Sequence, residues 1–359
     1  MGSSHRIGIV GLGVISRAYL DTLATAPDAV ITAVADLDHA RAEAVAATLP
    51  SARAVSVAEL LGADDVDVVL NLTIPAAHAE IALAAIAAGK DVYGEKPLAA
   101  TFGDAEEIMR AAADAGVRVG SAPDTVLGTG TQTARAVIDA GEIGRPVAAT
   151  AVMATPGHEL WHPNPDFYYK VGGGPLLDMG PYYVTALVQL LGPVVSVIGA
   201  GSRLRSERII ATGARAGEVV EVEVDSHVTG ILEHGSGALS TITTSFDSVG
   251  STAPPIEVHG ETASLIVPDP NMFDGEVRIR RLGSGEWDAV PPRAGTIGTA
   301  RGAGLLDMLR ATNGTAPRAS GAMGLHVLEV MTGLLESARS GSRAAMTTTV
   351  ERPPLVPLA

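Results

Sequence analysis

The chain has 359 residues, a hydrophobic fraction of 47% and a formal net charge of −15. We expect more than one domain, because a single hydrophobic core stops growing below this length. The large apolar fraction, of which aromatic residues are a small part, excludes a disordered chain. The negative charge and the scattered basic residues argue against a nucleic-acid partner.

The absence of cysteine excludes disulfide bonds, thiolate metal sites and a cysteine nucleophile. A strand-like run at Ile7–Val10 leaves no room for a leader before folded structure begins, so we expect a cytoplasmic protein. No apolar window approaches the ~20 residues that a membrane-spanning helix requires. We therefore expect no membrane partner.

The first third of the chain alternates short β-rich runs with Ala-rich stretches, which predicts a parallel sheet covered by helices. The predicted strands are Ile7–Val10, Ile31–Ala35, Val66–Leu72, Asp91–Glu95 and Arg118–Ser121. The predicted helices are Ala40–Thr48, His78–Ala87 and Asp104–Ala115, with Gly89 and Gly116 as C-terminal stops. We expect an N-terminal doubly wound α/β domain over residues 1–123.

From residue 124 onward the pattern changes to one helix, Gly130–Ala140, followed by β-rich segments joined by Gly-containing turns. Strict alternation at residues 220–224 predicts a mostly antiparallel sheet. The predicted strands are Val147–Ala154, Val194–Ala200, Val219–Glu233, Ala238–Phe246, Ile256–His259, Ser264–Val267 and Glu276–Arg281, and the predicted helices are Tyr182–Leu191, Gly302–Arg310 and Ala322–Ala338. We expect a second α/β domain over residues 124–359, in which any exposed apolar sheet face favours self-association.

A glycine-rich turn, Gly11-Leu12-Gly13-Val14-Ile15-Ser16, follows the first predicted strand and opens the first helix. In this context a pyrophosphate approaches the backbone amides. Ser16 stands where a third Gly or Ala is usual, but the two glycines nearest the phosphates are present. We predict that Gly11, Gly13, Val14 and Ile15 bind a dinucleotide.

Asp36 and Leu37 follow the second strand, where a carboxylate accepts hydrogen bonds from the adenosine ribose and repels a 2′-phosphate. NAD is therefore favoured over NADP, although Arg41 lies near enough to keep NADP open. Thr73, Pro75 and His78 follow the predicted strand Val66–Leu72, at the carboxyl edge of the sheet where cofactors bind in such folds. We expect these residues to contact the cofactor. His78 is equally compatible with a helix-start residue that packs against the loop.

Glu95-Lys96-Pro97 ends a predicted strand at the same edge of the sheet. An ammonium group beside an alcohol stabilises a developing alkoxide or takes part in its proton transfer, and the neighbouring proline fixes the local backbone. We therefore predict that Lys96 contacts both the cofactor and the substrate.

These motifs, together with the segment Gly172-Gly173-Gly174-Pro175-Leu176-Leu177-Asp178-Met179-Gly180-Pro181-Tyr182, resemble the Gfo/Idh/MocA oxidoreductase family over nearly the whole chain. The resemblance implies an N-terminal Rossmann domain and a C-terminal α/β domain with an open, mostly antiparallel sheet. It also implies NAD or NADP, substrates among sugars, glycosides, inositols and related polyols, and assembly into homodimers or homotetramers.

The resemblance assigns catalysis to Lys96, Asp178 and Tyr182. The last of these departs from the commoner histidine and is similar to the glucose–fructose oxidoreductase and dihydrodiol dehydrogenase branches. A phenol with a reference pKa of ~10 is drawn towards neutrality by a nearby ammonium and an oxidised nicotinamide. The alternative for Tyr182 is a core tyrosine at a helix start.

Two further segments are predicted to shape the substrate pocket. Asp124 ends the last Rossmann strand and is expected to bind a hydroxyl. The run from residue 157 to residue 170 concentrates aromatic and histidine side chains, which suit a sugar ring; from it we assign His158, Trp161 and Tyr169 to the substrate. The same loop is also compatible with a subunit interface, and a metal site there is disfavoured by its Pro and Gly content.

The leading hypothesis is hydride transfer between a carbinol carbon and nicotinamide, with Tyr182 and Lys96 handling the hydroxyl proton and Asp178 positioning the group. Three alternatives stay open at this point. The first is a lyase or glycosidase that oxidises its substrate transiently. The second is a sugar–sugar oxidoreductase with tightly bound cofactor. The third is a catalytically silent dinucleotide-binding regulator.

Overall fold

A computed structural model describes residues 4–311 and 316–359. The chain divides into two compact units, Met1–Thr125 with Thr299–Leu328, and Val126–Gly298 with Glu329–Ala359. This division places residues 299–328 with the first unit, whereas the sequence places all residues from 124 onward in one domain. The domain boundaries themselves stay a prediction.

The first unit contains a six-stranded parallel sheet with the strand order β3-β2-β1-β4-β5-β6. This is the order of a doubly wound dinucleotide-binding sheet, which confirms the predicted fold. The inner strands are apolar because helices cover both faces, and Ile7 and Ile9 have no exposed surface. The strands are β1 (His5–Val10), β2 (Ala29–Ala35), β3 (Arg53–Ala54), β4 (Val68–Asn71), β5 (Asp91–Gly94) and β6 (Val119–Ser121).

The helices among these strands are α1 (Ser16–Leu23), α2 (His39–Ala46), α3 (Val57–Leu61), α4 (Pro75–Ala87) and α5 (Phe102–Ala115). Gly89 and Gly116 adopt φ values of +72° and +67° just after α4 and α5, as predicted for C-terminal stops. Strand β3 and helix α3 were not predicted from the sequence, and they are only two and five residues long. A capping box between Ser56 and Glu59 starts α3.

The second unit contains a nine-stranded sheet with the order β16-β15-β14-β13-β7-β12-β11-β8-β17. Only the β7–β12 pair is parallel within this sheet, which confirms a mostly antiparallel arrangement. Its strands, with the separate β9–β10 ribbon, are β7 (Pro146–Ala154), β8 (Val194–Ser202), β9 (Glu207–Ile209), β10 (Val219–Glu221), β11 (His227–His234), β12 (Leu239–Ser245), β13 (Ile256–Gly260), β14 (Ala263–Val267), β15 (Val277–Arg281), β16 (Asp288–Val290) and β17 (Ala344–Ala345).

One predicted strand, Val219–Glu233, is wrong as a single element. Its first part, β10, pairs only with β9, whereas its last part, β11, pairs with β8 and β12. Between them the Ser226 hydroxyl donates to Asp247, and the chain passes from the ribbon to the main sheet. Regular alternation runs from Val220 to Val224, past the end of β10 at Glu221, and therefore does not reveal where the strand ends.

The remaining helices are α6 (Thr129–Asp139), α7 (Asp166–Tyr169), α8 (Pro175–Leu191), α9 (Ala303–Arg310) and α10 (Gly321–Ser340). Helices α6 and α8 pack on one face of the nine-stranded sheet. On its other face Ile198, Ile231 and Leu239 are 41–50% exposed. Helix α8 begins seven residues earlier than predicted because Pro175 occupies its first turn, and this places Asp178 near the helix N-terminus.

Candidate functional site

The glycine turn after β1 is closed on one side and open on the other. Gly11 has φ +92°, and a Cβ there would lie 2.7 Å from the carbonyl carbon and oxygen of Leu72. A Cβ on Gly13 would instead meet no described atom within 4 Å. The Ser16 hydroxyl donates to the Gly13 carbonyl at 2.7 Å. Serine in place of the usual third glycine therefore adds a hydrogen bond inside the turn. The open side fits a phosphate group.

Asp36 is fixed beside this turn. Its Oδ2 accepts a hydrogen bond from the Leu12 amide at 2.7 Å, its Oδ1 accepts one from the Asp38 amide at 2.8 Å, and its side chain is 9% exposed. The Arg41 guanidinium lies 3.3 Å from Asp36 and 3.5 Å from Asp38, so its charge is already paired with carboxylates. This arrangement favours a ribose hydroxyl over a 2′-phosphate. Leu37 beside it is fully exposed.

The turn after β4 is tied to the turn after β5 by a buried histidine. His78 places Nδ1 2.7 Å from the Pro97 carbonyl oxygen and Nε2 3.0 Å from that of Thr73. Burial lowers the pKa of His78, and its side chain is 2% exposed. His78 therefore supports the two turns, in line with the packing alternative, whereas Pro75 is exposed at the start of α4.

Lys96 follows a buried carboxylate at the end of β5. Glu95 accepts hydrogen bonds from the Tyr19 hydroxyl at 2.8 Å and from the Lys96 backbone amide at 3.1 Å. Burial first, and then the Glu95 charge, raise the pKa of Tyr19 well above its usual value, so this phenol stays a donor. Lys96 is half-buried and joined to Pro97 by a cis peptide bond. Sequence reasoning missed Tyr19, whose only signal is an aromatic residue inside α1.

Asp124 is predicted to bind a substrate hydroxyl, and the structure places it in the interior of the first unit. It has no exposed surface, and its Oδ2 accepts hydrogen bonds from the amides of Gly302 at 2.8 Å and Gly304 at 3.1 Å. The Arg301 guanidinium lies 4.0 Å from its Oδ1. Burial raises the pKa of Asp124 to about 6. Asp124 therefore accepts hydrogen bonds from backbone amides at the N-terminus of α9. A residue that binds a substrate hydroxyl is expected to face solvent, and Asp124 does not.

In the second unit, α8 carries the two remaining catalytic candidates one turn apart. Asp178 lies in the first turn of the helix, and Tyr182 follows four residues later on the same side. Tyr182 is 5% exposed, and the Asp178 side chain is 18% exposed. Nε2 of His158 lies 3.0 Å from Oδ2 of Asp178. The structure thus joins a candidate substrate residue to a candidate catalytic residue.

Aromatic rings surround His158. Its ring centroid lies 4.3 Å from that of Phe246, 4.5 Å from Tyr168 and 5.0 Å from Trp161. The His158 side chain is 9% exposed, whereas Trp161 is 58% exposed. Trp161 therefore offers an open aromatic face beside an enclosed imidazole.

Tyr169, which is predicted to contact the substrate, is fully buried. Its hydroxyl accepts a hydrogen bond from the His158 amide at 3.1 Å and donates to the Glu159 carboxylate. Burial, followed by the bond to Glu159, raises the pKa of Tyr169. Glu159 also pairs with buried Arg208 at 3.0 Å. Tyr169 therefore supports the loop, and neither Arg208 nor Phe246 carried a local sequence signal.

Within residues 4–311 and 316–359, no group of three or more acidic, His or Cys side chains is placed to hold a metal ion. In the same residues, no helix is both long and apolar enough to cross a membrane.

Comparisons with known proteins cover both units. A family model described as an oxidoreductase family with an NAD-binding Rossmann fold matches residues 5–122, and one for the GFO/IDH/MocA C-terminal domain matches residues 131–266. A 1,5-anhydro-D-fructose reductase from Ensifer adhaerens is 32% identical over 73% of this chain and 75% of its own. A myo-inositol 2-dehydrogenase from Thermotoga maritima is 28% identical over 72% and 74%. The crystal structure of an NAD binding oxidoreductase from Klebsiella pneumoniae superposes with a TM-score of 0.82 at 25% identity, covering 97% of this chain and 100% of that one.

Proposed function

Because this chain belongs to the GFO/IDH/MocA family of oxidoreductases and has its NAD-binding Rossmann fold, we propose that it interconverts a secondary alcohol and a ketone on a sugar, glycoside or inositol-like polyol. The match of residues 5–122 to the NAD-binding model carries the redox part of the proposal. The substrate class is supported by the relatives, one named as a sugar reductase and one as an inositol dehydrogenase.

The first unit supplies the groups that would hold NAD. The open side of the turn at Gly13 leaves room for the pyrophosphate, and Asp36 is held where it can accept from ribose hydroxyls. The proposed cofactor contacts are Gly11, Gly13, Val14, Ile15, Asp36, Leu37, Thr73, Pro75, Glu95 and Lys96, with His78 acting through the turns that it joins. When bound, NAD accepts the hydride in oxidation and NADH returns it in reduction.

Three side chains are proposed to act on the substrate hydroxyl. The Lys96 ammonium stabilises negative charge that develops on the oxygen. The Tyr182 side chain takes the hydroxyl proton as a phenolate in oxidation and returns it as a phenol in reduction. Asp178 orients the reacting group. With this assignment, tyrosine takes the catalytic position at which histidine is commoner in the family, in line with the resemblance stated for Tyr182.

The substrate is proposed to lie against the second unit's aromatic loop. The exposed indole of Trp161 suits the apolar face of a sugar ring, while Asp178 and Tyr182 offer polar contacts to its hydroxyls. His158 contacts both Trp161 and Asp178 and therefore links the aromatic loop to the polar groups of α8. Asp124 and Tyr169 are left out because both side chains are fully buried.

A second copy of this chain is proposed as the macromolecular partner. The apolar side chains Ile198, Ile231 and Leu239 are exposed on the open sheet face, and Ile198 and Ile231 are cross-strand neighbours. An exposed apolar sheet face of this kind is typical of a self-association surface. Light scattering should show a dimer or tetramer that Ile231→Lys dissociates, and a wild-type monomer would contradict this part of the proposal.

The experiment that tests the function follows the absorbance of reduced nicotinamide while the protein and NAD meet a panel of pyranoses, glycosides and inositols. We expect a substrate-dependent rise that Lys96→Ala and Tyr182→Phe each reduce about 10²- to 10⁴-fold, the usual range for acid–base groups. Tyr183→Phe is the matched control, because Tyr183 is the adjacent tyrosine of α8 and its hydroxyl faces Asp269. Full activity in Lys96→Ala would refute the catalytic assignment.

A further inference from the structure

The contact between His158 and Asp178 links two segments that are 20 residues apart in the chain. Nε2 of His158 lies 3.0 Å from Oδ2 of Asp178, and the two side chains are 9% and 18% exposed. An ionised carboxylate only accepts hydrogen bonds, so the imidazole proton in this pair belongs on Nε2. A charge-assisted bond of this kind, shielded from water, fixes the direction of the carboxylate.

The backbone that carries His158 is itself held from several sides. The His158 amide donates to the Tyr169 hydroxyl at 3.1 Å, and the Arg208 guanidinium donates to the Pro156 carbonyl at 3.1 Å. The next residue, Glu159, pairs with the same arginine at 3.0 Å. Arg208 is 3% exposed, so this network is shielded from water. The loop therefore presents the imidazole from a fixed backbone.

The His158 ring is also fixed by packing. Phe246 lies 4.3 Å from its centroid and Tyr168 4.5 Å, so the imidazole has little freedom to turn. Nδ1 is buried and has no hydrogen-bond partner among the described residues. A bare nitrogen lone pair is less costly to bury unpaired than an N–H group, which again places the proton on Nε2.

We propose that His158 is the positioning residue for Asp178: its Nε2–H group holds the carboxylate in one orientation towards the substrate hydroxyl and couples that orientation to the aromatic loop. This inference rests on the proposed function, which makes Asp178 part of the reacting site. His158 is then required for turnover through Asp178, and the contact with Trp161 transmits the position of the loop to the carboxylate.

Kinetics distinguish positioning from simple folding. His158→Phe keeps an aromatic ring but removes the donor, and we expect kcat to fall about 10²-fold, the cost of misplacing a reacting group, with KM little changed. His158→Gln keeps a side-chain N–H near the position of Nε2, and we expect it to recover at least about tenfold of that loss. His259→Gln is the matched control, because His259 is another histidine of the second unit that lies near a carboxylate, Glu257 at 3.9 Å.

A spectroscopic measurement tests the pair without substrate or cofactor. In protein labelled with ¹⁵N-histidine, we expect the His158 proton on Nε2, with a downfield N–H signal that Asp178→Asn shifts and His259→Gln leaves unchanged. If no sugar on the panel is oxidised, this measurement still decides whether His158 holds Asp178.

Two results would overturn the inference. One is a proton on Nδ1 of His158 with Nε2 bare, since that tautomer has no proton to donate to Asp178. The other is a kcat in His158→Phe equal to that of the wild type. A loss in His158→Phe that His158→Gln does not relieve would also contradict it, because the effect would then come from ring packing and not from the donated hydrogen bond.

Discussion

The buried carboxyl group of Asp124 makes the stability of the protein depend on pH. Burial raises the pKa of Asp124 from 3.8 to about 6 in the folded protein. Between these pH values the folded state holds a proton that the unfolded chain has released, so stability falls as the pH rises through this window. A difference of about two pKa units corresponds to about 3 kcal/mol in the free energy of unfolding.

Asp124→Asn isolates this effect. The amide oxygen can still accept from the Gly302 amide, but the side chain no longer ionises. Thermal unfolding of both proteins from about pH 4 to about pH 7 should show the wild type losing about 2 kcal/mol relative to the variant, on the order of 3 °C in Tm. Asp114→Asn, at an exposed position of α5, should follow the wild type. Parallel curves for wild type and Asp124→Asn would refute the reasoning, and a raised KM for sugar would restore the substrate role that the structure disfavours.

Four further predictions concern the glycine turn, Asp36 beside it and Tyr169 in the aromatic loop. Gly13→Val should leave Tm unchanged but weaken NAD binding about 10- to 100-fold in calorimetry, because its side chain fills the space open to the phosphates. Gly11→Ala should cost about 2–4 kcal/mol of stability, since it combines a positive φ with contact at Leu72; an unchanged Tm would count against this geometry. Asp36→Ala should weaken NAD about tenfold or more and shift preference towards NADP, and an unaltered NAD/NADP ratio would argue against its ribose role. Tyr169→Phe should lower stability by about 1–3 kcal/mol with little change in KM for sugar, because Glu159 loses a buried donor; a change in KM alone would favour substrate contact.

Most of the fold could be predicted because its elements repeat a local pattern. The alternation of apolar runs and Ala-rich stretches located five of the six strands of the parallel sheet, and Gly89 and Gly116 located the ends of two helices. Elements of two to five residues, such as β3 and α3, are too short for periodicity to indicate. The split of Val219–Glu233 depends on which strand each half pairs with, and this information lies outside the segment.

The residues of the candidate site could likewise be predicted where their position depends on local sequence, and not where it depends on distant partners. The turn at Gly11 and Gly13 and the carboxylate of Asp36 are local to strand ends, so sequence context placed them beside one another. The partners of Asp124 lie 178 and 180 residues away in the chain. Glu159, the partner of Tyr169, is itself paired with Arg208, which lies 49 residues further along. A polar residue at a strand end is equally compatible with a pocket or with a buried acceptor, and only the tertiary contacts decide between them.

The central claim is that this chain oxidises or reduces a sugar or polyol with NAD as a net reactant. The most direct test is the stoichiometry of the reaction on the best substrate of the panel, with reduced nicotinamide and sugar product measured in the same sample. We expect one NADH released for each alcohol converted to a ketone, and the loss of both products in Lys96→Ala. Sugar product that forms without released NADH, whether as a cleaved glycoside or as a pair of exchanged sugars, would contradict it.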